Sequence, residues 1–335
     1  MAEVRHYLTP YDLDATQRAR VLQRARALKA DYIAPRASRL RIGALYFNPS
    51  LRTRASFEQA AWVLGGTCQT LNAMGDTWKL ELDPDAIMDG DTAENIVEAA
   101  RVLGRYFHVL GVRAFPSGKE PWDSERTEPV LRRFAEHAGC SVVSLEGAAW
   151  HPCQSLADQL TMQEHFGQDL TGIPVAMTWA WHPRALPTAV PNAFVAQMAL
   201  AGADLRIVHP EGYDLDAGFM AQARDAAAAS GGRITVSNDR AAVEGAKVVY
   251  VKNWAPPGNL TPPVPELRHW ITDEASLRGT DDAKVMHCLP VRRNVVIAGE
   301  VLDGPRAIVT QQAENRLWAQ AALVEFLWKE QGVRA

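Results

Sequence analysis

Cysteine is scarce. Cys68, Cys140, Cys153 and Cys288 are the only four in 335 residues, and no two form a C-x-x-C pair. That spacing argues against a structural zinc site, and free thiols so placed fit a reducing cytosol. No apolar stretch approaches the ~20 residues needed to cross a bilayer, so no membrane partner is expected. The polar start, Met1 to Tyr11, has no apolar leader segment, so no secretory signal is expected. A long basic run is also missing and the net charge is −4. Nucleic acid is therefore not an expected partner, and an anionic substrate has to be caught by local arginines. No G-x-G-x-x-G follows the apolar runs 42–47 or 174–179, which argues against a dinucleotide-dependent oxidoreductase. The loop 72–91 carries Asp83, Asp85, Asp89 and Asp91 but lacks the glycine and glutamate spacing of a calcium-binding hand. No metal and no organic cofactor are expected.

What remains is ordinary globular composition, 47% apolar and 22% charged, in a chain long enough for two cores. Helical and extended patterns alternate throughout. Asp12 or Asp14 is placed to cap a helix through Lys29, and Ile42–Phe47 reads as a buried strand. A helical pattern follows to Leu64 and stops at Gly65-Gly66. Helices are predicted over Thr92–Leu103 and within Glu120–His137, with strands at Cys68–Leu71, His108–Phe115 and Cys140–Leu145. The second half repeats the order, with strands 174–179, 204–209, 248–251 and 285–288, helices 156–166, 189–201 and 219–230, and a last long helix over Gln312–Lys329. Repeated strand–helix–strand order implies parallel sheets covered on both faces. The expected fold is α/β: two doubly wound parallel-sheet domains, 1–146 and 147–310, with a C-terminal helix, 311–335, returning to the first.

Several segments carry groups suited to chemistry. Ser50-Leu51-Arg52-Thr53-Arg54 sits where a buried strand hands over to a helix. Unpaired N–H groups, two hydroxyls and two guanidinium forks suit a phosphate there. The same residues also read as a capped helix with surface arginines. Arg113 lies near a strand's carboxyl end, where ligands gather in parallel sheets; a surface ion pair would explain it equally. His151-Pro152-Cys153-Gln154 opens a helix. Its histidine can donate to a carbonyl oxygen and its glutamine can bond an amide, or His151 is simply a cap. His287-Cys288-Leu289-Pro290-Val291-Arg292-Arg293-Asn294 ends a short strand. Nothing nearby activates Cys288 as a nucleophile, so a binding role fits better than covalent catalysis. Arg316 near the start of the last helix reaches either a site or solvent. Trp78, in a polar loop, is placed to cap a ligand or to meet a neighbouring subunit.

Ser-x-Arg-Thr-Arg, an arginine at a strand end, His-Pro-x-Gln and His-Cys-Leu-Pro occur here in order over nearly the whole chain. In this the sequence resembles the aspartate/ornithine carbamoyltransferase superfamily. It is most similar to the N-acylornithine branch through Trp78, Met88-Asp89-Gly90-Asp91, Thr178-Trp179-Ala180-Trp181-His182-Pro183-Arg184, Lys252-Asn253-Trp254 and Arg292-Arg293-Asn294. N-acetyl enzymes tend to carry glutamate where this chain has Ala93 and lysine where it has Val296. N-succinyl enzymes tend to carry proline at the first position, which Ala93 does not match. Trp78-Lys79-Leu80-Glu81 and His209-Pro210-Glu211-Gly212-Tyr213 resemble the succinyl group.

The resemblance implies transfer of the carbamoyl group of carbamoyl phosphate to the δ-amine of N-succinylornithine, or alternatively N-acetylornithine, in arginine biosynthesis. It makes the first domain the carbamoyl phosphate-binding one and the second the acylornithine-binding one. For carbamoyl phosphate it implies Ser50, Leu51, Arg52, Thr53, Trp78, Arg113, His151, Pro152, Cys153, Gln154, Leu289 and Arg316. Arg113, His151, Gln154, Cys288 and Leu289 would serve catalysis. Glu146, His182, Lys252, Cys288, Leu289 and Arg292 would hold the acylornithine, and Ala93 would select the acyl group. A cytoplasmic homotrimer with sites shared between subunits is the family expectation. A non-catalytic phospho-ligand module would keep Ser50–Arg54 but not need His151 or the Leu289 segment.

Overall fold

The computed structural model describes residues 5–31, 37–118, 120–259 and 261–330. The first four residues of the polar N-terminus and the last five of the expected 311–335 helix segment fall outside that set. The chain divides into two compact units. One comprises 1–157 with 316–335, the other 158–315. The divisions fall later in the chain than the expected 146/147 and 310/311.

In the first unit the elements are α1 (Ala15–Ala30), β1 (Arg41–Tyr46), α2 (Arg52–Val63), β2 (Thr67–Asn72), β3 (Leu80–Glu81), β4 (Glu94–Asn95), α3 (Ile96–Tyr106), β5 (Val109–Arg113), α4 (Trp122–Glu125), α5 (Pro129–His137) and β6 (Ser141–Glu146). The parallel sheet has the order β2-β1-β5-β6. From β1 the chain goes first to β2 on one side and only later to β5 on the other. The crevice outside the carboxyl ends of β1 and β5 is therefore the topological switch point, where open α/β sheets bind ligands. Gly111 lets α2 approach the sheet there. A Cβ on it would meet Phe57 Cε1 at 2.6 Å and Leu145 Cδ1 at 2.8 Å.

Local chemistry explains where the elements begin. Asp14 caps α1 by accepting from Gln17 N at 2.8 Å, and Gln17 Oε1 reciprocates to Asp14 N, a capping box. The helix expected from Thr92 starts only at Ile96. Glu94–Asn95 instead pairs with Leu80–Glu81, and Asn95 Oδ1 caps Val97 N at 3.0 Å. The helix expected within 120–137 is two, because Pro129 starts α5 afresh after a left-handed Glu128.

α6 (Pro152–Phe166) and α10 (Val309–Glu330) each contribute to both units, and between them lie β7 (Pro174–Trp179), α7 (Ala189–Leu200), β8 (Asp204–Val208), α8 (Ala217–Ser230), β9 (Arg233–Ser237), β10 (Val248–Lys252), β11 (Lys284–Met286) and α9 (Gly299–Asp303). The second parallel sheet runs β11-β10-β7-β8-β9. Its switch point lies between β7 and β10. Every residue from Ala189 to Ala199 of α7 is buried, as expected of a helix apolar all round. β9 had no sequence expectation. It is an edge strand with only two apolar residues, half in solvent, so the buried-run signal is weak. Among the described residues no helix is long and apolar enough to cross a membrane.

Candidate active site

Three strand ends and one turn build the first unit's cluster. β1 ends at Tyr46, paired with Arg113 at the end of β5, and Phe47 N donates to the Arg113 carbonyl at 2.9 Å. Asn48 Oδ1 then accepts from Phe115 N at 2.7 Å. The turn that follows is thereby fastened beside Arg113. Ser50 Oγ accepts from Thr53 N at 3.2 Å, an N-cap bond at the start of α2. Leu51 is 76% exposed, Arg52 half-buried and Thr53 buried. Arg316, on α10, is buried and donates through Nη2 to Thr53 Oγ1 at 2.8 Å. Arg54 points away and pairs with Glu58 at 3.3 Å.

A bulge shapes the other side. β5 and β6 pair Val112 with Ser144 but Arg113 with Glu146, so Leu145 is the extra residue. The shift turns the Glu146 carboxylate onto the Arg113 guanidinium, where they form a buried ion pair. Glu146 Oε2 also lies 3.4 Å from His151 Nε2. The Phe115 ring sits 4.4 Å from Arg113 Cζ. His151 stands at the start of α6, where its carbonyl accepts from Gln154 N at 3.0 Å and Ser155 N at 3.2 Å. A guanidinium, an imidazole and a shared carboxylate are thus buried together at a sheet's carboxyl edge. The guanidinium and the imidazole can donate hydrogen bonds to an oxygen on which negative charge develops.

Glu146, expected with the acylornithine group, is joined here to Arg113 and His151. Pro152, Cys153 and Gln154 are buried. The Cys153 thiol contacts the Ser144 carbonyl at 3.4 Å, and burial pushes its pKa up to about 12, so it stays protonated. Trp78 and Ala93 lie elsewhere in the unit, on the loop and ribbon spanning 73–95. Trp78 is 73% exposed, Ala93 is exposed, and Ala93 N donates to the Lys79 carbonyl at 3.0 Å. Lys79 pairs with Asp91 across the same ribbon.

The second unit's candidates gather at the carboxyl ends of β7, β10 and β11. His182 follows β7 and Lys252 ends β10. Lys252 is buried and donates to the Asn253 carbonyl at 3.0 Å. Trp179 Nε1 donates to the Trp254 carbonyl at 2.8 Å, and Trp254 Nε1 to that of Tyr213 at 2.8 Å, which locks both strand ends. Arg292 Nε donates to His182 Nε2 at 3.0 Å. That bond needs Nε2 unprotonated; Nδ1 lies 3.0 Å from Arg184 N and 3.1 Å from the Arg184 carbonyl. Burial first, then the Arg292, Lys252 and Arg184 cations, hold the His182 pKa below its usual value. After β11, His287 N donates to Gln312 Oε1 at 2.9 Å and Leu289 N to His287 Nδ1 at 2.8 Å. Leu289 has φ +56, a left-handed conformation uncommon for a non-glycine residue. Cys288 is half-buried. Arg293 is committed to Asp303, at 2.6 and 2.9 Å. Val296 is buried in the core.

Glu128 drew no attention in the sequence. Its only local signal, a proline next in line, marks a helix start and says nothing of its carboxylate. It is buried, and its oxygens accept from Ala148 N, Ala149 N and Trp150 N at 2.8, 2.8 and 3.0 Å, in the loop leading to His151. Desolvation raises its pKa to about 7 against the lowering effect of those bonds. No group of three or more His, Cys, Asp or Glu among the described residues is arranged to hold a metal.

Residues 5–164 match the family model "aspartate/ornithine carbamoyltransferase, carbamoyl-P binding domain", and residues 178–327 match the corresponding Asp/Orn binding domain. The chain is 39% identical to an N-acetylornithine carbamoyltransferase of Xanthomonas axonopodis pv. citri, over 98% of either chain. It is 40% identical to an N-succinylornithine carbamoyltransferase of Bacteroides fragilis, over 81% of this chain and 82% of that one. A solved N-acetyl-L-ornithine transcarbamylase variant, with one glutamate replaced by alanine and complexed with carbamyl phosphate and N-succinyl-L-norvaline, superposes with a TM-score of 0.91. The two are 39% identical over 96% of this chain and 99% of that one.

Proposed function

Since the chain belongs to the aspartate/ornithine carbamoyltransferase superfamily, in its N-acylornithine branch, and is a carbamoyltransferase, we propose that it moves the carbamoyl group of carbamoyl phosphate to the δ-amine of N-succinyl-L-ornithine. The products are N-succinylcitrulline and phosphate, a step in arginine biosynthesis.

In this reading Ser50, Leu51, Arg52 and Thr53 receive the phosphate, with Arg316 acting beside Thr53. Arg113 and His151 donate to the carbamoyl oxygen, while Gln154 and the Leu289 carbonyl orient the carbamoyl amide. The amine nitrogen bonds to the carbamoyl carbon, the bond from that carbon to the phosphate oxygen breaks, and the amine gives up one proton. An alkyl amine has a pKa of about 10.4, so it must arrive or become neutral first. The departing phosphate is a suitable acceptor, and most of the acceleration comes from positioning and electrostatics. His182, Lys252, Cys288 and Arg292 are the candidates for the acylornithine. Trp78 belongs to the same reading as a cover for carbamoyl phosphate, supplied by a neighbouring subunit of a homotrimer.

The succinyl preference rests on Ala93. A succinyl group brings a second carboxylate, which a glutamate at that position repels and a small neutral side chain admits. The solved relative with glutamate replaced by alanine, in complex with a succinyl ligand, supports this choice. The alternative substrate is N-acetyl-L-ornithine, favoured by the fuller coverage of the N-acetyl relative. Measuring kcat/KM for both acylornithines separates the two readings. A higher value for the succinyl substrate is expected; a higher value for the acetyl one overturns the assignment.

A further inference from the structure

The peptide N–H groups of Ala148, Ala149 and Trp150 are consecutive and point at one carboxylate, that of Glu128. Such a run of amides is a nest, a concavity that ordinarily takes a free anion. Here the anion is part of the chain. Oε2 accepts from Ala148, and Oε1 accepts from both Ala149 and Trp150. Glu128 meets them from a left-handed conformation, φ 60 and ψ 50, that a non-glycine residue adopts only when its surroundings enforce it. Gly147 completes the fit, because a Cβ there would collide with both Glu128 oxygens. The loop is closed on itself by Gly147 N donating to the Trp150 carbonyl at 2.9 Å.

This loop is the whole of the connection between Glu146 and His151. Its two ends carry the carboxylate and the imidazole that stand 3.4 Å apart beside Arg113. We infer that Glu128 is a positioning residue for carbamoyl transfer: by filling the nest of residues 148–150 it fixes the loop that holds His151 against Glu146 and towards the carbamoyl oxygen. Without that carboxyl group, three buried N–H groups would lose the acceptor they share and the loop would repack to satisfy them. Displacing a transition-state donor by ~1 Å is enough to cost on the order of 100-fold in rate. Burial raises the Glu128 pKa to about 7, while the bonds from the three amides pull it down. The inference rests on the role proposed above for His151.

The test is a double-mutant cycle on the full-length enzyme with carbamoyl phosphate and N-succinyl-L-ornithine. Glu128→Gln keeps the length but replaces one acceptor oxygen with a donor. It is expected to lower kcat about 10- to 100-fold while KM for carbamoyl phosphate stays within about threefold, because the phosphate turn is on another element. In a His151→Ala background the same change should cost less than about twofold, since Glu128 acts through His151. Full additivity, or a lowered Tm with wild-type kcat, overturns the inference. If Glu128→Gln does not fold, Gly147→Ala takes its place in the cycle with the same expectations, and wild-type kcat in that variant overturns it equally. Absence of turnover by the wild type on either acylornithine overturns the reaction and this inference together. Turnover with an additive cycle counts against Glu128 alone.

Discussion

Two regions of the first unit contrast sharply. Arg113, Glu146, His151, Thr53 and Arg316 are buried and joined to one another in pairs across strand ends and helix starts. Trp78 and Ala93 stand in solvent on a small ribbon where the Lys79–Asp91 ion pair is exposed as well. The buried set is over-determined: moving any one member breaks a contact that another makes. The ribbon is not, so a residue there is replaceable at little structural cost. A chemistry shared by the superfamily suits the first arrangement, and a substrate preference that differs between relatives suits the second.

Arg113→Ala strikes the buried region hardest. It removes the donor proposed for the reacting oxygen and is expected to lower kcat about 100- to 1,000-fold. It also leaves Glu146 buried without its cation, at a cost of about 3–5 kcal/mol. Steady-state kinetics and thermal unfolding read the two effects, and a variant normal in both would dissolve the contrast. Ala93→Glu tests the ribbon. It should shift the ratio of kcat/KM for succinyl over acetyl substrate towards acetyl by about tenfold, one ionic contact's worth, with Tm unchanged. An unmoved ratio would mean that Ala93 does not face the acyl group.

Smaller and purely thermodynamic is the effect of Glu128 on pH dependence. Its pKa is raised from 4.5 to about 7 in the folded chain. Between those values the native state holds a proton that the unfolded state has released. Glu128 therefore makes stability fall as pH rises through that window. Glu128→Gln lacks the titration, so the difference in Tm between about pH 5 and pH 7.5 should be smaller in the variant than in wild type. An identical difference would show that the carboxylate does not titrate there. Trp78→Ala should move stability least, within about 0.5 kcal/mol as an exposed side chain, while weakening carbamoyl phosphate binding. Denaturant unfolding checks the first half, and a loss above that bound would place Trp78 in the core.

Much of this was legible in the sequence because it is written in local signals. Apolar runs of strand length marked β1 and β7, and the cap at Asp14 and the glycines after Leu64 marked helix ends. The α/β architecture with two parallel sheets follows from their alternation. Ser50, Arg113, His151 and Leu289 stood out because they sit at strand ends or helix starts, where parallel sheets present ligands. What was not legible depends on distant partners. The bulge at Leu145 that aims Glu146 at Arg113 has no sequence signature, so the joining of Glu146 to Arg113 and His151 shows only in the fold. Glu128 meets its three amides only through the fold, twenty residues along the chain and more. Edge strand β9 carries too little apolar surface to announce itself.

The most direct test is calorimetric titration of carbamoyl phosphate into wild type and Arg52→Ala. The account predicts saturable binding to wild type and a loss of affinity on the order of 10-fold or more in the variant, as one charge-assisted contact to phosphate is removed. Equal affinities would contradict it, because the turn after the first strand would then not be where the phosphate is held.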